Sequence, residues 1–119
     1  MKRVIVLAGV LCLLASPVLA HALLQRATPR VGSLVSTAPA EIRLEFSEAV
    51  EPALSRITMH DAHGAAVGLG SAKTAPRAAN ILVSPITAKL TPGVYKVEWR
   101  AVSVDTHVTE GDFVFTLKP

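Results

Sequence analysis

The chain has 119 residues with 12 basic and 9 acidic side chains, which gives a formal net charge of +3. This length allows one domain, and the weak charge imbalance gives no case for nucleic acid or an anionic membrane as partner. The one cysteine, Cys12, lies within an N-terminal apolar run, so the rest of the chain offers neither a disulfide nor a thiolate to a metal.

The first predicted element is a secretory signal peptide over residues 1–20. It has a basic start, an apolar run from Val4 to Ala15 and a small residue at its exit, Ala20. The run is too short for a stable membrane span. Cleavage after Ala20 would export residues 21–119 as a single domain, and His21 would become the N-terminal residue.

The exported part is predicted to be all-β. Its dominant hydrophobic period is two residues, which is typical of strands with one face on a core. Clear alternation marks three segments: Glu41–Phe46, Tyr95–Arg100 and Asp112–Leu117. Weaker strand candidates are His21–Gln25, Arg56–His60, Ala65–Leu69 and Asn80–Val83. About seven short strands separated by turn residues predict an immunoglobulin-like Greek-key β-sandwich or barrel.

Several prominent residues are predicted to have structural roles. Tyr95 follows a Thr-Pro-Gly turn at a strand start, which is typical of a tyrosine corner. Trp99, Phe113 and Phe115 fall on the inward phase of their strands and are expected in the core. The segment Gly70–Ala79 is predicted to be a solvated loop.

Metal ligation is the chemistry that the remaining polar residues suggest. Asp105 and His107 are two residues apart, so in an extended chain both project from the same face and can share a metal ion. An aspartate that orients a histidine, or two unrelated polar residues near a turn, would give the same spacing. His60 and His63 flank a probable hairpin end and are expected to be exposed turn residues.

His21 strengthens the metal hypothesis, because a free N-terminal histidine offers both its α-amine and its imidazole to one ion. If the first strand docks beside the last strands, His21 comes close to Asp105 and His107. Three nitrogens and one oxygen suit Cu(II), which also has the highest affinity among the divalent first-row metals. Met59 is the one methionine after the signal peptide, so soft ligands for Cu(I) are scarce. We therefore expect one Cu(II) per chain.

The same residues carry a family resemblance. The stretches that carry it are His21-Ala22-Leu23-Leu24, Leu44-Glu45-Phe46-Ser47-Glu48, Leu90-Thr91-Pro92-Gly93-Val94-Tyr95, Trp99-Arg100-x-x-Ser103-x-Asp105-x-His107 and Gly111-x-Phe113-x-Phe115. Over essentially all of residues 21–119 the chain resembles the periplasmic copper-binding (copper-resistance) proteins of the CopC family. The resemblance implies a Greek-key β-sandwich or barrel in the bacterial periplasm, with Cu(II) bound by His21, Asp105 and His107.

The chain departs from the family pattern at one place. Some members carry a methionine-rich segment that forms a second site for Cu(I), whereas residues Ser71–Ser84 contain no methionine. We therefore expect the form of the family that has a Cu(II) site only.

Three functions are compatible with these features. The leading one is a non-enzymatic copper carrier or buffer in copper homeostasis or resistance, which the resemblance links to a CopD-type inner-membrane transporter. The alternative is a copper-dependent oxidative enzyme with a histidine-brace site, like the lytic polysaccharide monooxygenases. About 100 residues leave little chain for a substrate platform, and an aspartate ligand favours holding Cu(II) over cycling it. The third is an immunoglobulin-like interaction module without a metal.

Overall fold

The structure is a computed structural model and describes residues 22–119, so the predicted signal peptide and His21 lie outside the described residues. Eight strands follow one another along this part of the chain: β1 (Leu24–Thr28), β2 (Leu34–Val35), β3 (Glu41–Phe46), β4 (Arg56–Asp61), β5 (Lys73–Ala75), β6 (Ala78–Pro85), β7 (Gly93–Val102) and β8 (Val108–Leu117). A single 3₁₀ turn, Pro52–Leu54, precedes β4. Within residues 22–119, no helix has the length and apolar character needed to cross a membrane.

The strands form two four-stranded sheets packed as a sandwich. The first sheet has the order β1-β3-β6-β5, and the second has the order β2-β8-β7-β4. All neighbouring strands are antiparallel except β2 and β8. The chain passes from one sheet to the other after β1, β2, β3, β4 and β6, as Greek-key connections require. The all-β Greek-key sandwich is therefore confirmed, with eight strands where about seven were predicted.

The core lies where the period-two pattern places it. On β3, Ile42, Leu44 and Phe46 are fully buried between the sheets. Phe113 and Phe115 of β8 are likewise buried, whereas Trp99 is half-buried and packs against the core edge-to-face on Phe46, with ring centroids 5.2 Å apart. The inward positions expected from the sequence are thus confirmed, with Trp99 at the boundary of the core.

The tyrosine corner is also present. The hydroxyl of Tyr95 donates to the carbonyl of Thr91, and the Thr91 N–H donates back to the Tyr95 oxygen at 3.0 Å. Tyr95 itself is buried and stacks on Phe115. The structural role predicted for Tyr95 is therefore confirmed.

One strand prediction and one loop prediction are wrong. Ala65–Leu69 is not a strand: Ala66 bridges to His60 in the second sheet, whereas Leu69 bridges to Ile86 beside the first. The segment crosses between the sheets, so it cannot stay paired with one neighbour. Gly70–Ala79 is not wholly a loop either, because it contains β5 and the start of β6.

Candidate metal centre

The turn between β7 and β8 holds both residues of the predicted metal pair. The two strands pair from Gly93 opposite Leu117 to Val102 opposite Val108. The chain then reverses: the Ser103 N–H donates to the His107 carbonyl at 2.9 Å. Asp105 and His107 therefore lie in a hairpin turn rather than on the extended chain that the sequence suggested.

Left-handed backbone at Thr106, with φ +73°, completes this reversal. Its N–H donates to the Ser103 carbonyl at 2.9 Å, so Val104 and Asp105 form the tip of the turn. The turn brings the two side chains together even though the backbone is not extended there.

The side chain of Ser103 is hydrogen-bonded to both members of the pair. It is fully buried, its hydroxyl donates to Asp105 Oδ1, and the same oxygen accepts the His107 N–H at 3.2 Å. The other carboxylate oxygen, Oδ2 of Asp105, lies 3.1 Å from Nδ1 of His107. One buried hydroxyl thus orients the carboxylate toward the imidazole.

The pair is open to solvent and electrostatically suited to a cation. The side chains of His107 and Asp105 are 37% and 41% exposed, so an ion can reach them from water. The Ser103 hydrogen bond, with smaller contributions from the hydrogen bonds and charge of His107, lowers the pKa of Asp105 against an opposing desolvation effect. The carboxylate therefore remains an anionic ligand to lower pH than an ordinary aspartate.

The first described residues, Ala22 and Leu23, form a short arm that contacts β8, the strand that follows this turn; we call them the N-terminal arm. Ala22 is fully buried, and its carbonyl accepts a hydrogen bond from Oγ1 of Thr109 at 2.8 Å. Leu23 exchanges two bonds with Ser47: its N–H donates to the Ser47 hydroxyl at 2.9 Å and its carbonyl accepts the Ser47 N–H at 2.8 Å. The arm therefore spans the end of the sandwich, from β8 to the loop after β3.

The N-terminal arm and β1 contact different sheets. The first strand does not dock beside the last strands, because β1 pairs with β3 in the other sheet and begins at Leu24 rather than His21. The N-terminal arm leaves the line of β1 and makes the contact with β8 instead. Thr109, its partner there, is the second residue after His107.

The remaining histidines do not join the pair. Among residues 22–119 no group of three or more His, Cys, Asp and Glu side chains is arranged to hold a metal ion. His63 is exposed in a turn, as predicted, whereas His60 is half-buried at the end of β4, opposite Lys96. The part of the chain that the structure describes thus brings together Asp105 and His107, two of the three predicted ligands.

Two hydroxyl residues near the Asp105–His107 pair, Ser103 and Thr109, were not predicted to have a role in the site. Ser103 belongs to the stretch that carries the family resemblance but was given no role, and Thr109 was not singled out. Their importance depends on the turn and on the path of the N-terminal arm. The one available sequence signal was the position of Ser103, an inward-facing polar residue at the end of an apolar strand.

Comparisons with known proteins agree with this architecture. The CopC domain model matches residues 24–118. Copper resistance protein C of Escherichia coli is 34% identical over 125 residues, an alignment that covers 99% of this chain and 98% of the relative.

Solved structures extend the similarity to three dimensions. The crystal structure of CopC from Methylosinus trichosporium OB3b superposes with a TM-score of 0.78 at 33% identity, covering 83% of this chain and 95% of that one. The crystal structure of PcoC, a methionine-rich copper resistance protein from Escherichia coli, gives 0.70 at 35% identity, covering 83% of this chain and all of that one. With the family model matched over nearly all the described residues, the chain belongs to the CopC family.

Proposed function

We propose that residues 21–119 form an exported protein that binds one Cu(II) ion per chain through His21, Asp105 and His107. It would carry or buffer copper in the periplasm, in copper homeostasis or resistance. Removal of the signal peptide, residues 1–20, is part of the proposal, because the α-amine of His21 becomes a ligand only after cleavage. Membership of the CopC family and the names of its copper resistance relatives support the choice of metal.

The observation that carries the proposal is the hydrogen bond between Ala22 and Thr109. Consecutive Cα atoms are about 3.8 Å apart, so the covalent chain keeps His21 next to Ala22. Thr109 is two residues from His107, which is at most about 7 Å along the chain. We infer from this contact that the amine and imidazole of His21 can reach the Asp105–His107 pair.

The donor set also favours Cu(II) over softer metals. The proposed ligands are an amine, two imidazoles and one carboxylate, which is a set that suits a tetragonal Cu(II) ion. Met59 is buried in the core and is the one methionine among residues 22–119. In this respect the chain differs from PcoC, which is a methionine-rich protein. We therefore propose no Cu(I) site in this protein.

A carrier role fits the exposure of the pair. Ligands that are more than a third exposed can pass an ion to a partner without unfolding the site. We propose a CopD-type inner-membrane transporter as the recipient, in line with the family resemblance. The arrangement requires no catalytic residue, and we propose that the protein is not an enzyme.

The decisive experiment compares two N-termini. One form begins at His21, and the other retains Ala20 before it. Because the added residue converts the α-amine into an amide, we expect Cu(II) affinity in a competition titration to fall by about 100-fold or more. Trp99, which lies on the strand next to β8, serves as the fluorescence reporter. Mass spectrometry of the exported protein should find His21 as the first residue.

Equal affinity of the two forms for Cu(II) would contradict the proposal. Copper-dependent oxidative cleavage of chitin or cellulose by the form that begins at His21 would instead support a histidine-brace enzyme. If neither form bound copper, an interaction module would be the remaining function.

A further inference from the structure

We infer that Thr109 is a positioning residue of the copper site, because its hydroxyl fixes the N-terminal arm beside the strand that carries His107. The inference rests on the proposed function, since it assumes that His21 is a ligand. It concerns a residue that would not touch the metal ion.

The hydrogen bond between Thr109 and Ala22 has an ordinary length and involves a buried residue. Oγ1 of Thr109 lies 2.8 Å from the carbonyl oxygen of Ala22, and Ala22 is fully buried. In the β7–β8 pairing Thr109 stands opposite Ala101, which is also fully buried. Thr109 therefore faces the interior side of its sheet, where the arm passes, rather than open solvent.

The two attachments of the arm have different consequences. The bonds between Leu23 and Ser47 hold the arm to the loop after β3, which belongs to the first sheet. The bond from Thr109 holds it to β8, which also carries the turn with Asp105 and His107. The Thr109 hydroxyl thus relates the position of the N-terminus directly to the other two proposed ligands.

A fixed N-terminus should bind copper more tightly than a free one. If the arm is not held against β8, forming the chelate must also order the terminal residues, and that entropy cost reduces the affinity. Removing a hydrogen bond of ordinary net strength weakens such an equilibrium by about tenfold. The effect should depend on the α-amine, since the arm matters only through His21.

The test uses variants of the mature protein and Cu(II) itself as the probe. Thr109→Val keeps the shape of the side chain and removes the hydroxyl, Thr109→Ser keeps the hydroxyl, and Thr109→Ala replaces the valine variant if that variant does not fold. Thr116→Val, at the other end of β8 and also half-buried, is the matched control. Cu(II) affinity is measured by competition, and the melting temperature of each metal-free variant verifies its fold.

We expect Thr109→Val to bind Cu(II) about tenfold more weakly, and Thr109→Ser and Thr116→Val to stay within about twofold of the parent. In the form that retains Ala20, Thr109→Val should change the affinity by less than about twofold, because the chelate is already lost. This loss of effect distinguishes positioning of the N-terminus from a general structural role.

Three outcomes would overturn the inference. The first is a Thr109→Val protein that binds as tightly as the parent while retention of Ala20 still weakens binding strongly; the proposed function would then stand without this role. The second is an effect of Thr109→Val that persists when Ala20 is retained, or that serine does not rescue. If neither retention of Ala20 nor Thr109→Val changes affinity, the proposed function fails together with the inference.

Discussion

The chain contains the same Asp-x-His spacing twice, and the two copies behave differently. Asp61-Ala62-His63 lies at the end of β4, and Asp105-Thr106-His107 lies between β7 and β8. In the first copy, Oδ1 of Asp61 accepts the backbone N–H groups of His63 and Ala65, each at 2.9 Å. In the second, the Asp105 carboxylate is shared between the Ser103 hydroxyl and the imidazole of His107.

The residue two positions earlier accounts for the difference. Met59 of β4 stands two residues before Asp61, and Ser103, directly after β7, stands two residues before Asp105; both are buried. Methionine offers no strong hydrogen-bond donor to a carboxylate. Asp61 instead accepts hydrogen bonds from the backbone of the turn that follows it. Serine offers a hydroxyl, and Asp105 is held with its other oxygen toward the histidine. A buried serine before the spacing, rather than the spacing alone, thus accounts for the proposed ligand pair.

The largest expected effect separates the two histidines. His107→Ala should weaken Cu(II) binding by about 100-fold or more, because it removes a proposed ligand, whereas His63→Ala should leave the affinity unchanged. Competition titration of the two variants beside the parent measures both effects. A similar loss in both variants would mean that the copies are equivalent and that copper is not confined to the β7–β8 turn.

The two aspartates should show opposite profiles. Asp105→Ala removes a proposed ligand and should weaken Cu(II) binding by about 10- to 100-fold. Asp61→Ala should leave copper binding intact but lower the free energy of unfolding by about 1–2 kcal/mol, because two backbone N–H groups lose their partner. Chemical denaturation of the metal-free proteins measures the second effect. Loss of copper binding in Asp61→Ala, with stability unchanged, would contradict the assignment.

The contrast between these copies also shows what a sequence can reveal. The strand Glu41–Phe46 was predicted to the residue, because strict alternation is a local signal that directly reflects burial on one face. Asp105 and His107 were found as a pair from their spacing. The same spacing at Asp61 and His63 carries no comparable information, since the direction of each carboxylate depends on what lies beneath it.

Features set by long-range contacts were beyond local patterns. The contact of Ala22 with Thr109 joins residues 87 positions apart, and no periodicity encodes it. β1 pairs with β3, and the alternation within each strand does not reveal this pairing. Such pairings depend on the packing of the whole sandwich, whereas alternation reports only which face of a strand is buried.

The smallest expected effect tests the serine itself. Ser103→Ala should raise the pKa of Asp105 toward its ordinary value, because the hydrogen bond that most lowers it is lost. The depressed pKa of the folded state stabilises the protein at pH values above the unfolded-state pKa, and this contribution disappears as the pH falls through the folded-state pKa. Ser103→Ala brings the folded-state pKa of Asp105 closer to its unfolded-state pKa. The metal-free variant should therefore lose less stability on acidification than the parent.

Copper affinity should fall at the same time, by about tenfold, as is typical for the loss of a residue that orients a ligand. NMR titration of the Asp105 carboxyl carbon measures the pKa, and competition titration measures the affinity. The stability of the metal-free proteins is compared by chemical denaturation at a series of pH values. An unchanged Asp105 pKa in Ser103→Ala would show that the serine is not what distinguishes the two Asp-x-His copies, and the backbone of the turn would have to account for the difference.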